Sequence, residues 1–213
     1  MRITALDKQP RRSSYELQID GEPAFAISPD IRLQFGLRAG DEISHERLIA
    51  VREAEERHVA MKSALRLLSY RPRSEQELRE RLAKKSVSPQ ISDATITRLR
   101  ENGLIDDEAY ARTFVEGRDR TSPRGRRLLA AELRTKGVSK PIAEDATADV
   151  DEGQAAYRAA VRRARSLTKV SFVDFRRRLG DFLVRRGFGY ETAGETVSRL
   201  WAETRGEDSP SLD

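Results

Sequence analysis

The 213-residue chain contains no cysteine, only two histidines, and few aromatic side chains, which make up 6% of its residues. Without cysteine, it can form neither disulfides nor thiolate metal sites. No apolar run is long enough to span a bilayer, and the first residues lack a signal-peptide pattern, so a cytoplasmic protein without a membrane partner is expected. So few aromatic residues are unusual for one large core but typical of thin, stacked helical layers.

Charged side chains, in contrast, make up 35% of the chain, with 40 Lys and Arg against 35 Asp and Glu. The formal net charge is therefore +5, and the pI is about 9.7. Such a balance favours a polyanionic partner, although many basic proteins bind none.

Residue patterns that support catalysis are missing. There is no Gly-x-x-x-x-Gly-Lys phosphate loop, and His45 and His58 are too isolated to build a metal site or a catalytic triad. The acidic pair Asp106 and Asp107 suits Mg²⁺ in principle, but capping of the following helix explains the pair more simply. The sequence therefore predicts a protein that is not an enzyme and has no cofactor.

The first 41 residues predict a β-hairpin followed by a short helix. Apolar side chains alternate along residues 1–27, and Asp20-Gly21 is typical of a hairpin turn. Ser28 before a proline predicts a helix start, and Gly36 predicts its end. Leu33 is expected to be among the apolar contacts of this helix. A long helix over about 42–69 should follow, with a polar first half acting as a solvated spacer.

The segment LRLLSYRPRSEQELRERL predicts the end of one helix, a sharp corner and the start of the next. An apolar face is expected to close with Leu65, Leu67, Leu68 and Tyr70, and Pro72 breaks the helix behind them. Ser74, with Glu77 three residues later, predicts a capping box at the start of the next helix.

The chain after this corner repeats itself. Leu82 to Ser88, Leu133 to Ser139 and Leu183 to Gly189 match at offsets of 51 and 50 residues, and their turns lie at Ser86, Gly137 and Gly187. Each repeat reads as a helix, a corner, a basic helix, a turn and a closing helix. The predicted fold is mainly α, with tandem three-helix repeats after a short N-terminal β-hairpin segment. The predicted boundaries are residues 42–105 for the long helix and first repeat, 106–151 and 152–203 for the second and third repeats, and 204–213 for a flexible tail.

Basic residues concentrate in the second and third repeats. Residues 118–136 hold seven positive side chains against two acidic ones, and residues 158–186 hold ten against two. Such a face is either an ordinary solvated surface or a surface that follows a phosphate backbone or an acidic protein groove. The candidate binding residues are Arg71, Arg73, Arg79, Arg118, Arg120, Arg124, Arg126, Arg127, Arg134, Lys136, Arg162, Arg163, Arg176, Arg177, Arg185 and Arg186.

The closing helix of the second repeat has the opposite charge. Residues 140–153 carry five carboxylates and a single lysine. Charge is thus segregated between helices of the same repeat.

Several motifs together resemble the bacterial RecX family of RecA regulators. They are the corner LRLLSYRPRSEQELRERLAKK at 65–85, the segment LRENGLIDDEAYA at 99–111, the Pro-Arg-Gly run from Pro123, and LRTKGV at 133–138. The resemblance covers about residues 55–201. One departure is Ser86, since the other two repeats have glycine at this turn, and a serine there costs about 1 kcal/mol if it adopts a positive φ.

The resemblance implies three tandem repeats in an elongated, curved array. It also implies a monomer that lies in the groove of the RecA–DNA filament, inhibits ATP hydrolysis and strand exchange, and limits filament growth. Weak, non-specific contact with single-stranded DNA is expected alongside. Two other classes stay open from the residues alone: a stand-alone single-strand-binding protein, and a metal-dependent nuclease, which would need a carboxylate cluster that this spacing does not provide.

Overall fold

The computed structural model describes residues 1–10, 13–167 and 169–206, and within them three strands precede ten helices. The strands are β1 (Ile3–Lys8), β2 (Tyr15–Ile19) and β3 (Glu22–Ile27). The helices are α1 (Pro29–Gln34), α2 (His45–Leu68), α3 (Glu75–Ala83), α4 (Pro89–Glu101), α5 (Asp107–Thr121), α6 (Arg126–Thr135), α7 (Lys140–Ala148), α8 (Glu152–Arg165), α9 (Phe172–Arg185) and α10 (Tyr190–Gly206).

The strands form one antiparallel sheet in the order β1-β2-β3. The predicted hairpin is β2 and β3, and its turn has φ of 51° at Asp20 and 91° at Gly21, the positive values that a tight two-residue connection requires. Strand β1 lies beside β2 and makes the sheet three-stranded. Leu17 and Ile27 are fully buried beneath the sheet.

The short helix α1 is capped as predicted. The Ser28 hydroxyl accepts a hydrogen bond from the Ile31 amide, and Gly36 follows the helix with φ of 62°. Leu33 was expected to be an apolar contact, but its side chain is 79% exposed, so that prediction is wrong. Ile31 faces the core instead.

The first half of α2 is not a free spacer, in contrast to the prediction. Its Val51 and Ala54 are buried in the same cluster as the sheet residues. Both the amide and the hydroxyl of Ser28 donate to Glu55 Oε2, at 2.7 and 2.9 Å. This half-helix is polar in sequence, but it buries Val51 and Ala54 and supplies the Glu55 carboxylate that accepts from Ser28.

The chain divides into two compact units. The first comprises Met1–Pro72 and Leu78–Leu104, which are the sheet, the first two helices and most of the first repeat. The second comprises Arg73–Glu77 and the chain from Ile105 onward.

Three helices make up each repeat. They are the second half of α2 with α3 and α4, then α5 to α7, then α8 to α10. The turn after the second helix has φ of 61° at Ser86, 82° at Gly137 and 86° at Gly187, so all three repeats share one left-handed cap. The predicted repeat is confirmed, including the strained serine.

Paired leucines on the second helix anchor the repeats, as their spacing of four predicts. All six are at most 2% exposed, and they are Leu78, Leu82, Leu129, Leu133, Leu179 and Leu183. In the predicted apolar face at the end of α2, Leu67 and Leu68 are half-buried, but Leu65 is 42% and Tyr70 is 71% exposed, so the prediction is wrong for these last two. Ala60 and Ala64 fill that position instead.

The third repeat bends without a proline. Ser171 begins α9 by accepting from the Asp174 amide. Helix α10 runs to Gly206, so residues 204–206 of the predicted tail are helical, and residues 207–213 lie outside the described part. Trp201 packs edge-on against Phe172 and Phe175.

Candidate binding surface

The second and third repeats meet at a backbone contact that leaves no room for a side chain. The Gly125 amide donates to the Arg186 carbonyl at 2.9 Å. A Cβ atom on Gly125 would lie 2.2 Å from the Gly187 carbonyl oxygen. The left-handed turn of the third repeat therefore packs directly on the start of α6.

The same contact occurs one repeat earlier. Here the Ser74 hydroxyl donates to the Lys136 carbonyl and also accepts from the Glu77 amide, as the predicted cap requires. A Cβ atom on Gly137 would lie 2.1 Å from Gln76 Cβ. The turns at Gly137 and Gly187 thus pack against the start of the second helix of the preceding repeat.

Carboxylates from the next repeat cap the same helix ends. Asp107 Oδ1 accepts from the Glu75 amide at 2.9 Å, and Glu152 Oε1 accepts from the Arg126 amide at 2.9 Å. These amides are among the four that an α-helix leaves without an internal partner at its start. Asp106 caps α5 by accepting from the amides of Glu108 and Ala109 in the first turn of that helix. Capping therefore accounts for the acidic pair.

Many of the predicted binding arginines have structural partners within the fold. Arg126 donates twice to the Val150 carbonyl, at 3.0 and 2.8 Å. Arg186 donates to the Ser122 hydroxyl and the Pro123 carbonyl. The other engaged residues, with their partners, are Arg71 with the Pro72 carbonyl, Arg73 with Glu77, Arg79 with Asp93, and Arg177 with Asp174.

Two arginines converge on one carboxylate in the second repeat. Glu132 receives Arg118 at 3.1 Å and also contacts Arg124. Burial, together with the nearby positive charges of Arg118 and Arg186, lowers the pKa of Arg124 from its ordinary value. This cluster stabilises the corner before α6, so these arginines are poor candidates for contact with a partner.

Aromatic rings contact two further cations of the predicted face, Lys136 and Arg163, as well as Arg186. Lys136 lies 5.9 Å from the Phe114 ring, and Arg163 and Arg186 lie 5.0 and 4.7 Å from the Phe182 ring. Stacking on a ring leaves part of each cation accessible but restricts its reach.

Six of the predicted arginines are exposed and have no partner among the described residues. They are Arg120, Arg127, Arg134, Arg162, Arg176 and Arg185. Arg127 and Arg134 are seven residues apart on α6 and so share a face, whereas Arg176 and Arg185, nine apart on α9, lie on opposite sides. Exposed arginines without a partner among the described residues thus form a subset of the predicted basic face.

Part of this surface is a groove where the second and third repeats meet. It has a volume of about 330 Å³, and we call it the basic groove; its lining includes Arg126, Arg127, Phe188 and Tyr190. Tyr190 is 85% exposed. The sequence reasoning missed this residue, although an aromatic side chain directly after a Gly-Phe-Gly turn is a signal that could have pointed to it.

A polar cluster of the third repeat lies between α8 and α10. The Tyr157 hydroxyl donates to Glu203 Oε2 at 2.9 Å, and Arg199 Nε donates to Oε1 at 2.8 Å. The hydrogen bonds from Arg199 and Tyr157 lower the pKa of Glu203 from its ordinary value. The acceptor Glu203 in turn raises the pKa of Tyr157. This cluster joins the first and last helices of the repeat.

Neither histidine belongs to a cluster of potential metal ligands among the described residues. His58 Nε2 lies 3.4 Å from Asp30 Oδ2. Within the described ranges, no three His, Asp or Glu side chains are grouped in a way that could hold a metal ion. No helix in that part of the chain is both long and apolar enough to cross a membrane.

Three family models match the chain in succession. They describe the first, second and third three-helix domains of RecX, and they match residues 60–99, 106–146 and 151–197. These ranges coincide with the three repeats.

Relatives and solved structures agree with this match. "Regulatory protein RecX" of Lactobacillus johnsonii is 30% identical over 209 residues, covering 97% of this chain and 77% of the relative. The protein of the same name from Pelodictyon phaeoclathratiforme is 34% identical over 151 residues, covering 71% of this chain and 94% of the relative.

Two crystal structures share the fold. That of a regulatory protein RecX has a TM-score of 0.68 at 23% identity and covers 93% of this chain and 100% of the other. That of RecX from Lactobacillus salivarius has a TM-score of 0.64 at 24% identity, over 69% of this chain and 97% of the other. With three successive domain matches and relatives at 30% identity or more, the chain belongs to the RecX family.

Proposed function

We propose that this protein regulates the RecA recombinase during homologous recombination. In this proposal it binds as a monomer in the groove of the RecA–DNA filament, inhibits ATP hydrolysis and strand exchange, and limits filament growth. The observation that carries the proposal is the succession of three RecX domains along the chain. The relatives named as regulatory proteins support a regulatory role, and the proposed role needs no cofactor.

The distribution of exposed cations supports binding at several points. Free arginines occur in both the second and the third repeat, so two successive units can each make a weak contact. Linked weak contacts gain strength because the second is made at a high effective concentration. Binding to a filament of repeating protomers should therefore exceed binding to a single protomer.

A titration of RecA-catalysed, DNA-dependent ATP hydrolysis tests the proposal. We expect suppression with both preformed and assembling filaments. The double variant Arg127→Glu/Arg134→Glu should suppress hydrolysis less, because it reverses two exposed charges that have no structural partner among the described residues. The double variant Lys62→Glu/Arg66→Glu is the matched control, since it makes the same charge change on the exposed face of α2 in the first repeat. An absence of suppression by the unaltered protein in both titrations would refute the proposal.

Direct binding of single-stranded nucleic acid without RecA is the second candidate function. The exposed Tyr190 beside Arg127 in the basic groove favours it, since base stacking on an aromatic ring next to a phosphate-binding cation is a common mode of single-strand recognition. Tight binding of an oligonucleotide by the protein alone, together with unchanged RecA ATPase, would support this candidate instead.

A further inference from the structure

The side of the second repeat formed by α5 and α7 carries a second groove, of about 400 Å³, which the start of α8 completes. Its apolar lining consists of Val115, Ala146 and Val150. This volume lies within the range of about 300–1,000 Å³ that is typical of binding pockets.

Carboxylates surround the apolar lining. Glu116 and Asp149 are exposed and have no partner among the described residues. The rim's one arginine, Arg158, contacts Asp119, so this cation is already neutralised. The result is a groove with an apolar floor and two carboxylates that have no partner among the described residues. We call it the acidic groove.

This chemistry fits an organic cation better than a metal ion. Within the described ranges, no three His, Asp or Glu side chains are grouped for metal coordination. An aliphatic side chain can occupy the floor, while Lys or Arg side chains on either side reach the free carboxylates. The acidic groove shares no lining residue with the basic groove.

We propose that the acidic groove docks a cationic segment of a partner protein, in which an aliphatic side chain is flanked by lysines or arginines. The proposal goes beyond RecA regulation through the basic residues, because it assigns a role to the groove between α5 and α7, which those contacts leave unused. The free carboxylates require a positively charged partner segment. The apolar floor favours a segment that also carries an aliphatic side chain to bury there.

The test uses the full-length protein and the synthetic nonapeptide KKKKLKKKK, labelled for fluorescence anisotropy at low salt. We expect saturable binding. The double variant Glu116→Gln/Asp149→Asn should weaken it about tenfold, since two exposed ion pairs contribute up to about 1 kcal/mol each. The double variant Glu144→Gln/Asp145→Asn is the matched control, because it removes the same charge from the exposed face of α7 outside the groove and should leave the affinity nearly unchanged.

The peptide KKKKGKKKK tests the apolar floor separately. Replacing the leucine by glycine should weaken binding about tenfold or more, as expected when one leucine side chain loses its buried site. Equal binding of the two peptides, equal loss in both double variants, or no binding of KKKKLKKKK would each overturn the proposal.

Two further measurements separate this proposal from its alternatives. Sedimentation that shows self-association of the protein, weakened by Glu116→Gln/Asp149→Asn, would assign the groove to a second copy and overturn the partner proposed here. In the RecA ATPase titration, the same double variant should suppress hydrolysis as well as the unaltered protein. A failure of RecA regulation is therefore distinguishable from a failure of peptide binding.

Discussion

At the scale of single residues, the turns after the second helices show how one Cβ atom decides what a position tolerates. Ser86 and Gly137 occupy equivalent left-handed turns, with φ of 61° and 82°. A Cβ atom on Gly137 would lie 2.1 Å from Gln76 Cβ of the preceding repeat, whereas the turn at Ser86 carries a Cβ atom and leaves the residue exposed. Equivalent positions therefore place different demands on their side chains.

Exchanging these residues should have opposite effects on stability. Ser86→Gly relieves a left-handed conformation that costs about 1–2 kcal/mol, and part of this gain is lost to the greater freedom of glycine in the unfolded chain. We expect a net stabilisation of about 0.5–1 kcal/mol in urea unfolding. Gly137→Ser should be destabilising, because its Cβ meets Gln76 Cβ. Destabilisation by Ser86→Gly would contradict the strain argument.

Gly125 gives a second prediction at this scale. Gly125→Ala places a methyl group against the Gly187 carbonyl, so the junction must shift, at a cost of about 1–3 kcal/mol. Gly117→Ala is the control within α5, where a Cβ has nothing within 4 Å, and it should stabilise by about 0.5–1 kcal/mol. Thermal unfolding of both variants checks the prediction, and equal melting temperatures would count against the close contact.

A sequence can indicate a tight corner at Gly125, but it does not indicate the partners of the arginines. The Gly-Arg-Arg run marks a position without room for a side chain, which is a local property. The pairing of Arg126 with the Val150 carbonyl, or of Arg186 with Pro123, depends on how repeats pack across long sequence separations. Charge counting therefore does not reveal which arginines have partners within the fold.

At the scale of secondary structure elements, helix starts are capped across repeats. The first turns of α3 and α6 receive carboxylates from Asp107 and Glu152 of the following repeat. Helix α9 has no described repeat after it, and its own Ser171 supplies the cap. The first two repeats thus depend on their successor for a backbone partner.

Removing one such cap should destabilise the fold by a predictable amount. Glu152→Ala removes the acceptor of the Arg126 amide and should cost about 1 kcal/mol, a typical value for a lost N-cap interaction. Glu191→Ala is the matched control, because Glu191 lies in the first turn of α10 and is exposed. Chemical unfolding should show the larger loss for Glu152→Ala. An equal loss would mean that only the helix dipole of each helix's own first turn is involved.

Helix boundaries followed well from the sequence, but the role of one helix did not. Ser28, Asp106 and the left-handed glycines are local signals, and they marked helix ends to within about two residues. The first half of α2 was interpreted as a spacer, because its charged residues obscure the buried Val51 and Ala54. Glu55 is a capping partner only because Ser28 lies close to it in space.

At the scale of the whole molecule, the exposed arginines predict the salt dependence of nucleic-acid binding. About five phosphate contacts give a log–log slope near −3.5 for single strands, at about −0.7 per contact. Arg127→Gln should reduce the magnitude of the slope by about 0.7, because it removes one unpaired cation. Titrations of an oligonucleotide at several salt concentrations measure both values. An affinity independent of salt would point to stacking or apolar contacts instead.

The last prediction concerns the coupling between repeats. A repeat of about fifty residues buries little apolar surface, so its stability depends on its neighbours. A chain that ends at Val150 loses the Arg186 carbonyl that binds the Gly125 amide, as well as Glu152, which caps α6. We expect its melting temperature to fall by on the order of 5 °C, since 1 kcal/mol corresponds to about 2–4 °C in a chain of this size. A chain that ends at Gly206 is the control, because it keeps every helix of the described structure and should melt with the full-length protein. If the shorter fragment melts at the same temperature as both, the repeats are independent domains, and the glycine junction contributes to geometry alone.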